Sequence, residues 1–226
     1  MSVIELPAST LFNKRVPKQR FYGNLSVTPE LKRVFTEQIS TIRWRNKLAP
    51  STMNIAEGEK VLELQIFHVL LNQKSVDQRV LQLMDREIPY HILFLLEYDQ
   101  MLQAWIAYKE ASQSKSGAFV VVKYYHSDWQ PKEALNLSLE GLNLDAVYEN
   151  FIRQIAGERL EAPSDTEKTS DESLADAVER DQARQKLQKQ IDRLQKKVYK
   201  EKQFNKQVEL NNKLRELKKI LREINE

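Results

Sequence analysis

The chain contains no cysteine, so disulfide bonds, thiolate metal sites and a cysteine nucleophile are excluded. Its five glycines never stand next to one another, and no glycine-rich phosphate-binding loop is present. Apolar runs such as residues 92–96 are far shorter than the roughly 18 residues that indicate a membrane-spanning helix. Residues 1–12 lack the basic start and apolar stretch of a signal peptide. We therefore expect a cytoplasmic protein without a cofactor and without membrane contact.

Charge is unevenly distributed along the sequence. The formal net charge is only +3, but residues 1–48 carry +6 and residues 182–226 carry +8, whereas residues 49–156 carry −5 and residues 157–181 carry −6. Such a chain can fold its basic ends onto its acidic middle, or it can present basic surfaces to a polyanion such as DNA.

Hydrophobic periodicity in residues 1–157 predicts an α+β domain that follows a basic N-terminal arm. Thr28, Pro29 and Glu30 are a typical helix start. Alternating or continuous apolar runs predict strands at 39–48, 61–71, 91–98, 102–109 and 119–125, and helical spacing predicts helices at 76–86 and 142–155. Short connections between strands favour a mainly antiparallel sheet of about five strands with flanking helices.

The C-terminal part divides into an acidic linker, residues 158–172, and a basic helical segment, residues 173–226. The segment has two stretches of heptad spacing that do not share one register, which predicts either a continuous helix with a stutter or a helical hairpin. We favour the continuous helix, which would form a coiled coil with a partner or with a second copy. The predicted partner-binding residues are Leu187, Ile191, Leu194, Val198, Phe204, Asn205, Val208, Asn211, Leu214, Leu217 and Leu221.

Candidate chemistry is sparse. The three histidines have no metal-ligand spacing, and no metal site is predicted. Acidic and basic residues on neighbouring predicted strands allow an alternative interpretation as a metal-dependent nuclease, with Glu63, Gln65, Glu97 and Lys109 as its catalytic residues. Basic residues interleaved with aromatic ones allow nucleic-acid binding; the candidates are Lys14, Arg15, Lys18, Arg20, Arg43, Arg45 and Lys47.

Several short motifs together resemble one bacterial family. They are Leu6-Pro7, Val16-Pro17-Lys18, Phe21-Tyr22, the Trp44-x-x-Lys47-Leu48-Ala49-Pro50 run, Asn54-Ile55, Ile88-Pro89 and the tail from Glu201 to Asn211. The chain resembles the family of domains of unknown function numbered 4391. The resemblance implies a context rather than a reaction, because such genes are often found near the methyltransferase and helicase-type genes of restriction-like phage defence.

This context and the charged residues on the strands lead to two hypotheses from different classes. The first is a non-catalytic interaction subunit of a bacterial restriction-like anti-phage defence system. Its partners would be a methyltransferase or helicase-type ATPase, with DNA as a second candidate and self-association through the C-terminal helix as a third. The alternative is a small metal-dependent nuclease of the divergent restriction-endonuclease type.

Overall fold

The computed structural model of the protein describes residues 4–23, 27–112, 118–161 and 172–225. The chain divides into two units, Met1–Ala156 and Gly157–Glu226. Most of the predicted linker, residues 162–171, lies outside the described residues. None of the helices in the described ranges combines the length and apolarity that crossing a bilayer would require.

Unit 1 is built on one mixed sheet. The strands are β1 (Leu11–Val16), β2 (Ile39–Leu48), β3 (Leu64–Leu71), β4 (His91–Tyr98), β5 (Met101–Ala111), β6 (Phe119–His126) and β7 (Gln130–Pro131). They are ordered β1-β2-β3-β4-β5-β6, and β7 pairs with β5. Among these seven strands of the described residues, β3 and β4 are the parallel pair, and the other pairs are antiparallel. The predicted α+β class is confirmed, but the strand number of about five is too low and the sheet is mixed.

The two missed strands have identifiable causes. Strand β1 lies in the segment that prolines and basic residues mark as an irregular arm, and it pairs with β2 through an irregular register beside Asn13, whose φ is +45°. Strand β7 has only two residues. Strand β3 begins at Leu64 rather than at Val61, because the backbone N–H groups of residues 59–61 donate to the Asp145 carboxylate instead of to a neighbouring strand.

In the described part of unit 1, four α-helices accompany the sheet: α1 (Gln19–Tyr22), α2 (Pro29–Gln38), α3 (Gln78–Glu87) and α4 (Leu144–Ala156). The predicted start of α2 is confirmed, since the Thr28 side chain accepts a hydrogen bond from the Leu31 N–H at 3.3 Å. Helix α3 connects β3 to β4, as a parallel pair requires. Gly157, with φ +54°, follows the last residue of α4 and fits the left-handed position after a helix.

Both faces of the central strands are covered. On one face, which we call the α3 face, Phe67 and Phe94 pack in a core cluster with Phe35 of α2 and Met84 of α3. On the other, the α4 face, helix α4 lies against β5 and β6. The Tyr148 hydroxyl donates to the backbone carbonyl of Ala107 and accepts from the Lys109 N–H, so α4 is tied directly to the β5 backbone.

Unit 2 is a helical hairpin, so the favoured continuous helix is wrong. Helix α5 (Leu174–Lys200) ends where Glu201 turns extended, and α6 (Phe204–Asn225) begins after three non-helical residues. The Gln207 side chain donates to the Val198 carbonyl at 3.4 Å. In a straight helix these residues would stand about 13 Å apart along the axis, so the chain has reversed. The alternative that the register slip left open is therefore the observed one.

The apolar residues of both heptad stretches hold the hairpin together. Ile191 is buried, and the remaining seam residues of the two helices are half-buried, among them Leu194, Val198, Leu214 and Leu217. Neither helix could bury its stripe alone, and the reversal lets each cover the other. Pairing with a second chain stays a prediction.

The buried histidine of β4 gives unit 1 a pH-sensitive position. His91 is 2% exposed, and its ring lies edge-on to the rings of Phe119 and Tyr148 with centroids 4.6 and 4.4 Å away. Burial lowers the pKa of His91 to about 3, and the positive charge of Lys109 acts in the same direction. The folded chain therefore keeps this ring neutral in mildly acidic solution.

We expect a distance measurement to distinguish the hairpin from a straight helix. Because the chain has no cysteine, spin labels can be placed at Lys189 and Arg215, which are exposed. A straight helix would separate these positions by about 39 Å at 1.5 Å per residue, whereas packed helices have axes about 8–10 Å apart. Pulsed dipolar spectroscopy should give the short distance. A control pair at Gln182 and Lys196, within α5, should read about 21 Å in both geometries.

We expect His91 to make unit 1 less stable in acid. The unfolded His91 binds a proton below its ordinary pKa of 6.5, whereas the folded one stays neutral until about pH 3. Protons therefore favour the unfolded state in this window, and His91 lowers the free energy of unfolding by up to about 1.4 kcal/mol per pH unit. Denaturant titrations of wild type and His91→Gln should show a stability difference that shifts in favour of the variant between pH 7 and pH 4. A difference that stays constant across these pH values would contradict the assignment.

Candidate functional site

Three arginines collect at one end of the α4 face. Arg15 of β1 stands directly opposite Arg43 of β2, and Arg43 stands opposite His68 of β3. Arg45 lies at an irregularity of the β2–β3 register, and it lines a cavity together with Ile66 of β3 and Leu95 of β4. Because Ile66 and Leu95 alternate with Phe67 and Phe94 of the α3 face, Arg45 lies on the same side of the sheet as Arg43. We call Arg15, Arg43 and Arg45 the arginine face. Within the parts of the chain that the structure describes, none of the three forms an ion pair or a hydrogen bond through its side chain.

The other predicted nucleic-acid residues are placed differently. The Lys18 ammonium donates to the carbonyls of Thr36 and Ile39, at 3.4 and 2.6 Å, and so satisfies the end of α2. Lys47 forms an ion pair with Glu63 at 2.6 Å. These two lysines have structural partners, whereas Arg20 lies exposed on the short helix α1.

Lys14 belongs to an aromatic stack at the sheet edge. Its ammonium lies 5.3 Å from the Phe12 ring centroid, and Phe12 stacks on Trp44 at 4.6 Å. Trp44 continues the stack to Phe67, which belongs to the core cluster on the α3 face. Lys14 is thus directed away from the arginine face, and the seven predicted residues do not form one surface.

A charged network borders the arginine face. His68 Nε2 lies 2.6 Å from Glu97 Oε2, and Lys132 Nζ lies 2.5 Å from Glu97 Oε1. Burial lowers the pKa of His68, although Glu97 acts in the opposite direction. Burial raises the pKa of Glu97, but hydrogen bonds from Lys132 and His68 outweigh it and leave that pKa below its usual value. A neutral His68 therefore donates to an ionised Glu97, and each carboxylate oxygen of Glu97 has a partner.

A cavity of about 140 Å³ opens beside Arg45. Its lining mixes polar and apolar surface and comes from the N-terminal segment and from β1, β2, β3 and β4; it includes Ile4, Leu6, Leu11, Arg45, Asn46, Ile66 and Leu95. Buried Asn46 donates through Nδ2 to the Thr10 hydroxyl at 2.9 Å, and Thr10 donates to the Pro7 carbonyl at 2.7 Å. These bonds hold the N-terminal wall of the cavity against the sheet.

The four residues of the nuclease interpretation lie in three separate places. Glu63 and Gln65 bond to each other at 2.9 Å, beside Lys47. Glu97 stands opposite Leu70 of β3 and Leu102 of β5. It is therefore about 20 Å along the strands from Glu63 and from Lys109. Within the described ranges, no group of three potential metal ligands is found.

Lys109 has a structural role on the α3 face. Its ammonium lies 2.8 Å from Asp85 Oδ1, and the side chains of both residues are almost fully buried. It also donates to the Tyr90 carbonyl at 2.9 Å, while the Tyr124 hydroxyl donates to Asp85 Oδ2. Burial raises the pKa of Asp85, and Lys109 opposes this effect. The pair fastens α3 to the sheet rather than facing solvent.

The hairpin separates the predicted partner-binding residues into two groups. The seam residues Leu187, Ile191, Leu194, Val198, Asn211, Leu214, Leu217 and Leu221 are buried or half-buried. Phe204, Asn205 and Val208, next to the turn, are exposed; Phe204 is 75% exposed and Val208 44%. The sequence reasoning missed Tyr199, which is 91% exposed at the end of α5. Its only sequence signal is that it falls outside the heptad seam.

Lys132 was also missed by the sequence reasoning. Its approach to Glu97 depends on the pairing of β7 with β5, which joins residues distant in the sequence.

The family model described as "Domain of unknown function (DUF4391)" matches residues 4–221 of the chain. No curated protein and no solved structure matches the chain. Because the matched region covers nearly all of the sequence, including both units, the chain belongs to the DUF4391 family.

Proposed function

We propose that this chain is a non-catalytic interaction subunit of a bacterial restriction-like anti-phage defence system. Unit 2 docks a partner protein, and the arginine face of unit 1 contacts DNA. The defence context rests on the family resemblance, which implies methyltransferase or helicase-type ATPase partners. The observation that carries the docking role is the pair of exposed aromatic side chains, Tyr199 and Phe204, on either side of the hairpin turn.

Exposed aromatic residues at a helical turn support a protein-docking role on physical grounds. Neither ring contributes to the hairpin seam, so folding of unit 2 gives no reason for an apolar side chain at either position. Large aromatic residues are enriched among the few side chains that carry most of the affinity of protein interfaces. Val208, one turn beyond Phe204, extends the same apolar surface along α6.

The surroundings of these rings are strongly basic. Five exposed lysines lie within seven residues of the turn, at positions 196, 197, 200, 202 and 206. A rim of one charge around apolar anchors favours a partner surface of opposite charge, because complementary potentials steer association and select the partner. We therefore expect an acidic partner surface with an apolar recess.

The nuclease alternative has no comparable support. Its residues lie in three separate clusters, and each has a partner that explains it without catalysis. A metal-assisted phosphodiester cleavage would need carboxylates that converge on one ion.

The docking role predicts that the exposed rings are required for partner capture. We would coexpress the tagged chain with the genes that flank its own and quantify what copurifies. Tyr199→Ala and Phe204→Ala should each lower capture of the partner at least about tenfold, since truncation of such anchors removes about 2 kcal/mol or more. Alanine keeps the helices intact, so the hairpin should persist.

Leu142→Ala is the matched control, because Leu142 is an apolar side chain of unit 1 that is 93% exposed. Its substitution should leave capture unchanged. Sedimentation of the chain alone would show whether the rings mediate self-association instead. The proposal would be abandoned if no flanking gene product copurifies, or if the two ring substitutions leave capture at the level of Leu142→Ala.

A further inference from the structure

The arginine face has more positive charge than its surroundings neutralise. Arg15 and Arg43 occupy directly opposed positions on neighbouring strands, where like charges destabilise a sheet. Glu97, the acid nearest to His68 on this face, is already held by His68 and Lys132. An anion bound between the arginines would remove this repulsion.

Arg45 connects this charge to a concave site. It is half-buried and forms part of the cavity wall, where water is partly excluded. A guanidinium in such a place matches the bidentate geometry of a phosphate, and the bond is strengthened by the lower local dielectric. Its positive charge also acts on His68, whose pKa is lowered mainly by burial and further by Arg45.

The cavity has the size and lining for one planar ring system. Its volume is about 140 Å³, and its lining combines apolar residues of the sheet, Ile66 and Leu95, and of the N-terminal segment, Ile4 and Leu6, with the polar side chains of Arg45 and Asn46. Because the Asn46–Thr10 and Thr10–Pro7 hydrogen bonds fix the N-terminal wall, the space exists before any ligand arrives. A simple inorganic anion would leave this space empty.

We propose that the cavity and the arginine face together form a nucleotide-binding site. The base enters the cavity between Ile66, Leu95 and the N-terminal wall, and the phosphate lies on Arg45 and Arg43. The nucleotide is either a free mononucleotide or the terminal nucleotide of a nucleic-acid strand, since both present the same base, sugar and 5′-phosphate. The inference deepens the DNA-contacting part of the proposed function and is independent of docking by unit 2.

Calorimetric titration of the full chain tests the two halves of the ligand separately. The probes are dAMP and dTMP, their nucleosides without phosphate, and inorganic phosphate alone. We expect a mononucleotide to bind at least about tenfold more tightly than its nucleoside or inorganic phosphate, because only the nucleotide fills both parts of the site. Absence of nucleotide binding at millimolar concentration would overturn the proposal, and so would phosphate binding as tight as nucleotide binding.

Substitutions then locate the site. Arg45→Gln should weaken nucleotide binding about tenfold or more, and exposed Arg43→Gln should weaken it severalfold. Ala8→Trp, at an exposed position of the cavity wall, should reduce nucleotide affinity to that of inorganic phosphate by filling the space. Arg33→Gln on α2 removes the same charge from an exposed arginine elsewhere in unit 1 and should have no effect. An equal loss in Arg33→Gln and Arg45→Gln, or no loss in Arg43→Gln and Ala8→Trp, would overturn the assignment.

Oligonucleotides distinguish the two sources. If the site takes strand ends, a 5′-phosphorylated oligothymidylate should bind more tightly than dTMP, and removal of its 5′-phosphate should abolish the Arg45-dependent part of the affinity. If the site takes free nucleotides, dTMP should bind more tightly than either oligonucleotide. Either result supports the site. Failure of every probe would remove it while leaving partner capture through Tyr199 and Phe204 untouched, so the two proposals fail independently.

Discussion

The parallel pairing of β3 with β4 is the constraint on which unit 1 depends. A parallel pair needs a crossover, and α3 provides it on one face of the sheet. Both strands are apolar on their two faces, so the second face also has to be covered, and α4 lies there against β5 and β6. The buried Lys109–Asp85 pair and the Tyr148 hydrogen bonds then fasten each helix to β5.

Helix α4 lies against β5 and β6, and positive charge remains at the opposite, β1 end of the same sheet face. The β1 end of the α4 face retains Arg15, Arg43 and Arg45, while the acidic residues of the central strands are used within the sheet. Lys18, Lys47 and Lys109 look equally available in the sequence, but Lys18 donates to backbone carbonyls, and Lys47 and Lys109 form ion pairs with Glu63 and Asp85. A basic residue therefore becomes a candidate for binding only when the fold gives it no partner of its own.

In unit 2, too, the candidates for binding are the residues that have no partner within the described part of the fold. Its heptad residues satisfy one another inside the hairpin, so they are no longer the obvious surface for a partner. The residues left over, Tyr199 and Phe204, flank the turn and are surrounded by lysines. The proposed docking surface therefore consists of the exposed residues that lie outside the hairpin seam, and not of the heptad residues that form it.

Local patterns determined much of this protein. Thr28 and Pro29 begin α2, period-two or continuous apolar runs mark the central strands, and heptad spacing marks both halves of the hairpin, because each signal acts between residues close in sequence. Only the tertiary structure decided that Glu97 lies about 20 Å from Lys109, that Arg15 faces Arg43, and that the C-terminal helix reverses. These facts depend on strand order, register and a turn without glycine or proline, and the energies that select them come from contacts between residues distant in the chain.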